Sequence, residues 1–109
     1  MSHYHDENDM KILTEMSRLS PEEFKAWLNL DNIVRREEGE IPRKYRELIA
    51  LAVAFTTQCP YCIEGHAKAA KRVGASREEI SETAFLAAAL RAGGAATHGA
   101  LALKFFDQD

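Results

Sequence analysis

An all-α domain of five or six helices is what the sequence predicts, and three observations carry that reading. Apolar residues recur at helical spacing along most of the chain, helix-start signals stand at Ser20, Cys59 and Ser76, and no segment reads as a credible strand. At 109 residues the chain is expected to form one domain, because a second hydrophobic core needs roughly another hundred residues.

The elements follow in chain order. Residues 1–8 lack apolar periodicity and read as a flexible tail, with the domain over 9–109. His3 and His5 are the tail's one unusual feature, and they read as solvated side chains rather than a metal trap. Met10, Ile12, Leu13 and Met16 suggest a short helix. Ser20, Pro21 and Glu23 then offer a hydroxyl N-cap, a proline at the first helical position and a capping-box glutamate. That helix is expected to reach about Glu38 and stop at Gly39, with Phe24, Trp27, Leu28 and Ile33 on a broad packing face. Ile41 and Pro42 open the next helix, charged from Arg43 to Glu47 and apolar on every side from Leu48 to Phe55. Cys59 and Pro60 start another, closed by Gly74. Ser76 and Glu79 repeat the capping-box signal and launch Ile80 to about Arg91; Gly93 and Gly94 are expected to break the chain before a last helix, Ala95 to Phe106.

Bulk composition narrows the function classes. A chain that is 46% hydrophobic and 28% charged is a soluble globular one rather than disordered. Its net charge of -3 supplies no basic field for a phosphate backbone, so a nucleic-acid partner is not expected. The start of the chain has neither the positive nor the apolar region of a secretory signal, and the longest apolar run is far short of the roughly 20 residues that span a bilayer. A cytosolic protein without a membrane partner is therefore expected. In that reducing compartment two cysteines separated by two residues suit redox exchange or metal binding better than a permanent staple.

Two segments exceed what a chain of this size can cover. The Leu48 to Phe55 run and the Ala-, Leu- and Gly-rich stretch from Ala84 to Leu103 both ask for burial, and small domains bury the least of their surface. A homo-oligomer is expected on that ground.

The chemistry concentrates on one helix start. Cys59 would be the N-cap and Cys62 the third helical residue, where free N–H groups and the positive helix end favour a thiolate. Either sulfur can attack a mixed species formed on the other and close a disulfide. His66 stands four residues beyond Cys62, on the same helical face, placed to take its proton or hold its thiolate as an ion pair. Glu47, twelve positions before Cys59, lies at the edge of the apolar run, where a carboxylate needs a partner; a helix hairpin would bring it to the imidazole.

Glu47, then Cys59, Pro60, Tyr61 and Cys62, then His66, taken with those spacings, resemble the motif of the alkylhydroperoxidase D-like family within the carboxymuconolactone decarboxylase-like superfamily. The resemblance covers about Ile41 to Phe106. It implies an all-helical fold assembling into trimers or hexamers, and peroxidase activity on alkyl hydroperoxides or hydrogen peroxide. Cys62 would be the attacking thiol, Cys59 the resolving one, and His66 with Glu47 the proton relay. It implies no cofactor, and as reductant a dihydrolipoyl group on a partner protein or another dithiol. In the best-known members a histidine precedes the second cysteine; here that position is Tyr61, so the relay has one group fewer. The decarboxylase branch, which acts on a lactone from aromatic-acid breakdown, is a poorer match because its members generally lack the cysteine pair.

Blander readings stand beside these. The cysteines with His66 and either Glu47 or His98 would make a zinc site in a helical assembly protein without turnover, but the chain has no second Cys or His pair of the usual kind. No metal is expected. His98 reads as a hydrogen-bonded interior histidine that could line the same cavity. Tyr61 is either packing or a hydroxyl facing substrate. Arg43, Lys44 and Arg46 read as a solvated helix face, one of which could pair with a carboxylate, and Trp27 and Phe24 as core.

Overall fold

The computed structural model describes residues 4–109, so His3 and the first part of the expected tail lie outside the described residues. A 3-10 helix, Glu7–Lys11, leads into α1 (Leu13–Leu19), α2 (Pro21–Val34), α3 (Arg43–Thr57), α4 (Pro60–Arg72) and α5 (Arg77–Phe106). The described residues contain no strand, as the sequence predicts. Nor is any helix among them long and apolar enough to cross a membrane.

The chain takes structure earlier than the tail reading anticipates. The Asp6 carboxylate accepts a hydrogen bond from the Asn8 amide at 2.8 Å, and Asp9 accepts from the Asp6 amide at 2.7 Å, so the first orphan N–H groups are capped. Ser20 does the opposite of what its sequence context suggests. Its side chain caps nothing, and proline at the first position of α2 carries the helix start instead.

α2 ends at Val34, four residues short of the predicted Glu38. The cause is Arg46, whose guanidinium donates to the Val34 carbonyl and to the Ile41 carbonyl, both at 2.8 Å, and so ties off the loop 35–42. Gly39 lies against that guanidinium, where a Cβ would collide with it. Arg46 is thus a loop pin rather than a solvated charge.

α3 and α4 form the hairpin that builds the core. α3 stops at Gln58, which adopts a left-handed conformation (φ 58°), and the Cys59 amide returns to the Ala54 carbonyl at 3.1 Å. That abrupt turn leaves Cys59 extended, at the N-cap of α4. Leu48 and Leu51 of α3 pack with Ala70 of α4, with Phe55, Ala67, Ala75 and Ile80 around them, and Ala54 and Ala69 are buried as well. The run from Leu48 to Phe55 is not enclosed on every side, since Ile49 and Val53 are 51% and 55% exposed.

Past Gly74, whose positive φ (92°) closes α4, Ser76 and Glu79 make the predicted capping box. The Ser76 hydroxyl accepts from the Glu79 amide at 3.0 Å, and the Ser76 amide donates to Glu79 at 2.9 Å. The predicted break at Gly93 and Gly94 is absent: α5 runs through both as a single helix of 30 residues, about 45 Å long. Two helical glycines cost about 1 kcal/mol each relative to alanine, less than losing the surrounding ladder of backbone bonds between strong helix formers. α5 packs along α3, with Arg91 donating to the Thr56 carbonyl and Lys44 paired to Glu79 at 2.8 Å.

No residue of α5, α1 or α2 is buried. Trp27, read as core from the sequence, is 50% exposed, and Phe24 is only half-buried against it. The radius of gyration is 18.0 Å, against about 13 Å for a compact chain of this length. The helices are laid out, not wrapped around one another.

Candidate functional site

The tight turn at Gln58 sets the site. It delivers Cys59 as N-cap, with its sulfur accepting from the Cys62 amide at 3.3 Å, and Pro60 starts α4 without losing a backbone bond. Cys59 and Cys62 are joined as a disulfide, their Cα atoms 5.3 Å apart. Both are half-buried. They lie at the start of α4, where the Cys62 amide points at the Cys59 sulfur and the positive helix end stabilises a sulfur anion once the bond is opened.

One turn further along α4 the expected hairpin contact is made. The Nδ1 of His66 lies 2.6 Å from Oε2 of Glu47, which is 0% exposed. The other oxygen, Oε1, accepts from Arg43 Nε at 2.9 Å and from Arg35 Nε at 3.4 Å. Burial pushes the Glu47 carboxyl upward; hydrogen bonds from His66 and Arg43 and the charge of Arg35 outweigh it, leaving the carboxyl below its ordinary value. Glu47 is therefore an anion in a buried place, with both carboxylate oxygens hydrogen-bonded.

The two arginines come from different elements. Arg43 sits one turn before Glu47 on α3 and reaches back to Glu37 at 3.1 Å; Arg35 is the residue after α2 and pairs also with Asp31. The sequence allowed for one of Arg43, Lys44 and Arg46 to meet a carboxylate, and the four-residue offset from Arg43 to Glu47 is the signal that could have named it. Arg35 carried no such signal, because its approach depends on how the loop 35–42 closes. A cleft of about 290 Å³ opens beside His66, walled by Val34, Ile41, Ile49 and Ala50, with Arg35, Arg46 and Asp31 at its rim.

Two expected lining residues go elsewhere. The Tyr61 hydroxyl donates to Asp9 at 2.8 Å, a bond that raises the phenol above its ordinary pKa and ties the 3-10 segment to the start of α4. The His5 ring stands edge-on to Tyr61. His98 is exposed rather than interior. It bonds the Gly94 carbonyl one turn back on α5 and does not line the cleft beside His66.

The model of the carboxymuconolactone decarboxylase family matches residues 21–105, which takes in α2 to α5 and every residue of the site. A protein of Paracoccus denitrificans named "uncharacterized protein 4 in cox locus" is 44% identical over 96 residues, spanning 88% of this chain and 86% of its own length. Among solved structures, an apo carboxymuconolactone decarboxylase family protein from Legionella pneumophila superimposes with a TM-score of 0.70 at 30% identity, covering 92% of this chain and 88% of the other.

Proposed function

Because the chain belongs to the carboxymuconolactone decarboxylase family, as an alkylhydroperoxidase D-like member, we propose that it is a dithiol peroxidase cycling between two thiols and the Cys59–Cys62 disulfide. The observation that carries this reading is a cysteine pair at a helix N-terminus, closed on itself, one turn from a histidine held by a buried carboxylate.

In the reduced protein, His66 takes the proton of Cys62, helped by the amides at the start of α4. The Cys62 thiolate attacks one oxygen of a hydroperoxide. A sulfur–oxygen bond forms as the oxygen–oxygen bond breaks, and the leaving alkoxide or hydroxide takes the proton from His66. The sulfenic acid on Cys62 is then displaced by Cys59, releasing water and forming the disulfide. Two electrons pass from the cysteine pair to the peroxide; a second dithiol, free or as a dihydrolipoyl group on a partner protein, returns them by exchange. Glu47 keeps the imidazole oriented throughout. Loss of carbon dioxide from a lactone, by contrast, has no use for a cysteine pair.

Assembly belongs to the same reading. Phe85, Leu86, Leu90 and Phe106 on α5, together with Ile49 and Val53 on α3, present apolar surface that a second copy of the chain would cover, as a trimer or hexamer. A cytosolic location suits a site that needs its cysteines reduced between turnovers.

Stopped-flow reaction of the reduced protein with hydrogen peroxide and with a bulky organic hydroperoxide tests the activity. Both thiols should be lost rapidly; Cys62→Ser should abolish the fast phase, and His66→Ala should slow it by roughly 10²–10⁴-fold at neutral pH. A wild-type rate no faster than that of a free thiol would refute the peroxidase reading.

A further inference from the structure

Two side chains outside the four motif positions converge on the site, and nothing in the disulfide chemistry requires them directly. Arg35 and Arg43 both bond Oε1 of Glu47, while His66 bonds Oε2. A guanidinium is a donor only and does not give up its proton in a protein. The Oε1 face of Glu47 is consequently closed to protonation, and any proton the carboxyl gained would have to sit on Oε2, between it and His66.

The location of that proton decides what His66 can do. With Glu47 ionised, Oε2 can only accept, so the imidazole donates through Nδ1 and its Nε2 lone pair is free to take a proton from a thiol. With Glu47 neutral, Oε2 donates to Nδ1 and the ring proton of a neutral imidazole moves to Nε2, which removes the base. We propose that Arg35 and Arg43 are positioning residues: by bonding the same oxygen of Glu47 they keep it an acceptor and so hold His66 in the tautomer whose Nε2 is basic. This rests on the peroxidase reading for its consequence in turnover, but not for the tautomer itself.

The charges around the pair fit that role. Glu47 faces Arg43 on its own helix, Arg35 from the end of α2 and His66 from α4; behind the arginines stand Asp31 and Glu37, which hold the guanidinium groups by 3.6 and 3.1 Å pairs. Arg35 makes the site depend on α2. If α2 shifts, Glu47 loses one of its two cationic partners while Arg43, on the same helix as Glu47, stays.

The test compares wild type with Arg35→Gln, Arg43→Gln and the double variant, and with Arg35→Lys and Arg43→Lys, which keep the charge. Nitrogen-15 spectra of the His66 ring in the oxidised protein should place the proton on Nδ1 in the wild type at neutral pH and in both lysine variants. In the double glutamine variant, the Nε2-protonated form should appear as pH falls, together with Glu47 titrating at higher pH. For the peroxide reaction of the reduced protein, the acid limb of the pH–rate profile should move to higher pH, making the double variant about tenfold slower for each unit of that shift. Its rate should recover at high pH, and the lysine variants should follow the wild type. A wild-type ring with its proton on Nε2 would overturn the proposal, and this result needs no variant to fold. So would a double variant with the wild-type tautomer and profile. Peroxide inertness of the wild type would defeat the peroxidase reading alone, leaving the ring spectra to decide the role of the arginines.

Discussion

Glu47 is fully buried in the first half of α3, where the charged part of the helix gives way to the apolar part. A carboxylate at the border of an apolar run needs partners, and the structure supplies three, on two oxygens. Its depressed pKa makes the fold sensitive to acid in a definite direction. Between the lower folded value and the ordinary 4.5, the unfolded chain binds the proton that the folded chain refuses, so stability rises with pH across that interval. The contribution is complete above the ordinary value and disappears as pH falls through the folded one. Urea unfolding of wild type and Glu47→Gln from pH 7 to pH 3 should give a stability gap that narrows as the solution becomes acidic; a gap of constant size would mean that the carboxylate is not held as an anion. At pH 7 the gap should be about 3 kcal/mol, the low end for breaking a buried pair, because Arg35, Arg43 and His66 each retain some access to water.

At the scale of elements, local signals were reliable where a backbone turn enforced them and misleading where a distant side chain intervened. Ser20 and Ser76 have the same sequence context, a hydroxyl followed three positions later by glutamate. Ser76 caps α5 and Ser20 caps nothing. Ser76→Ala should lower the unfolding free energy by about 1 kcal/mol, whereas Ser20→Ala should leave it within about 0.5 kcal/mol; equal losses on thermal or urea unfolding would contradict the geometry. Cys59 and Pro60 announced the start of α4 by a signal the structure bears out, an N-cap followed by proline at the first helical position, while the sharp turn at Gln58 that ends α3 carried no such signal. The end of α2 was not legible, since it depends on Arg46 reaching across the loop to Val34. Gly93 and Gly94 misled in the other direction: two weak helix formers lose to neighbours such as Ala95, Ala96 and Leu101 when no turn residue redirects the chain. Cys59, Cys62 and His66 were readable because they share one helix at fixed offsets, whereas the meeting of Glu47 with His66 depends on the α3–α4 hairpin and was an expectation that the 2.6 Å contact bears out. Arg35 reaches Glu47 from the end of α2, and no local pattern marks it.

Size limits what a lone chain can do with its apolar surface. The structure has a small core around Leu48, Leu51 and Ala70, while α5 holds Phe85, Leu86, Leu90, Leu101, Leu103, Phe105 and Phe106 in solvent. At about 2 kcal/mol for each such side chain fully buried, these seven together offer an amount comparable with the ~4–15 kcal/mol that association costs. Leu86 and Leu90 line an open groove with Ala52, Val53 and Thr56 of α3, so the exposed face is continuous across two helices. A second copy bringing the same face doubles the apolar area removed from water without a new partner. Light scattering of the eluting protein should then give a small multiple of 12.2 kDa, and Leu86→Glu with Leu90→Glu should shift it towards the single chain by placing two like charges in that groove. A wild type already at the single-chain mass would sink self-assembly and leave this face to a different protein. Dissociation also bears on the chemistry: α2, exposed along Trp27, Leu28 and Ile33, carries Arg35 to Glu47 from its end. If dilution to the single chain loosens α2, the acid limb of thiol oxidation should move to higher pH together with the loss of mass, in a protein whose site residues are all unchanged.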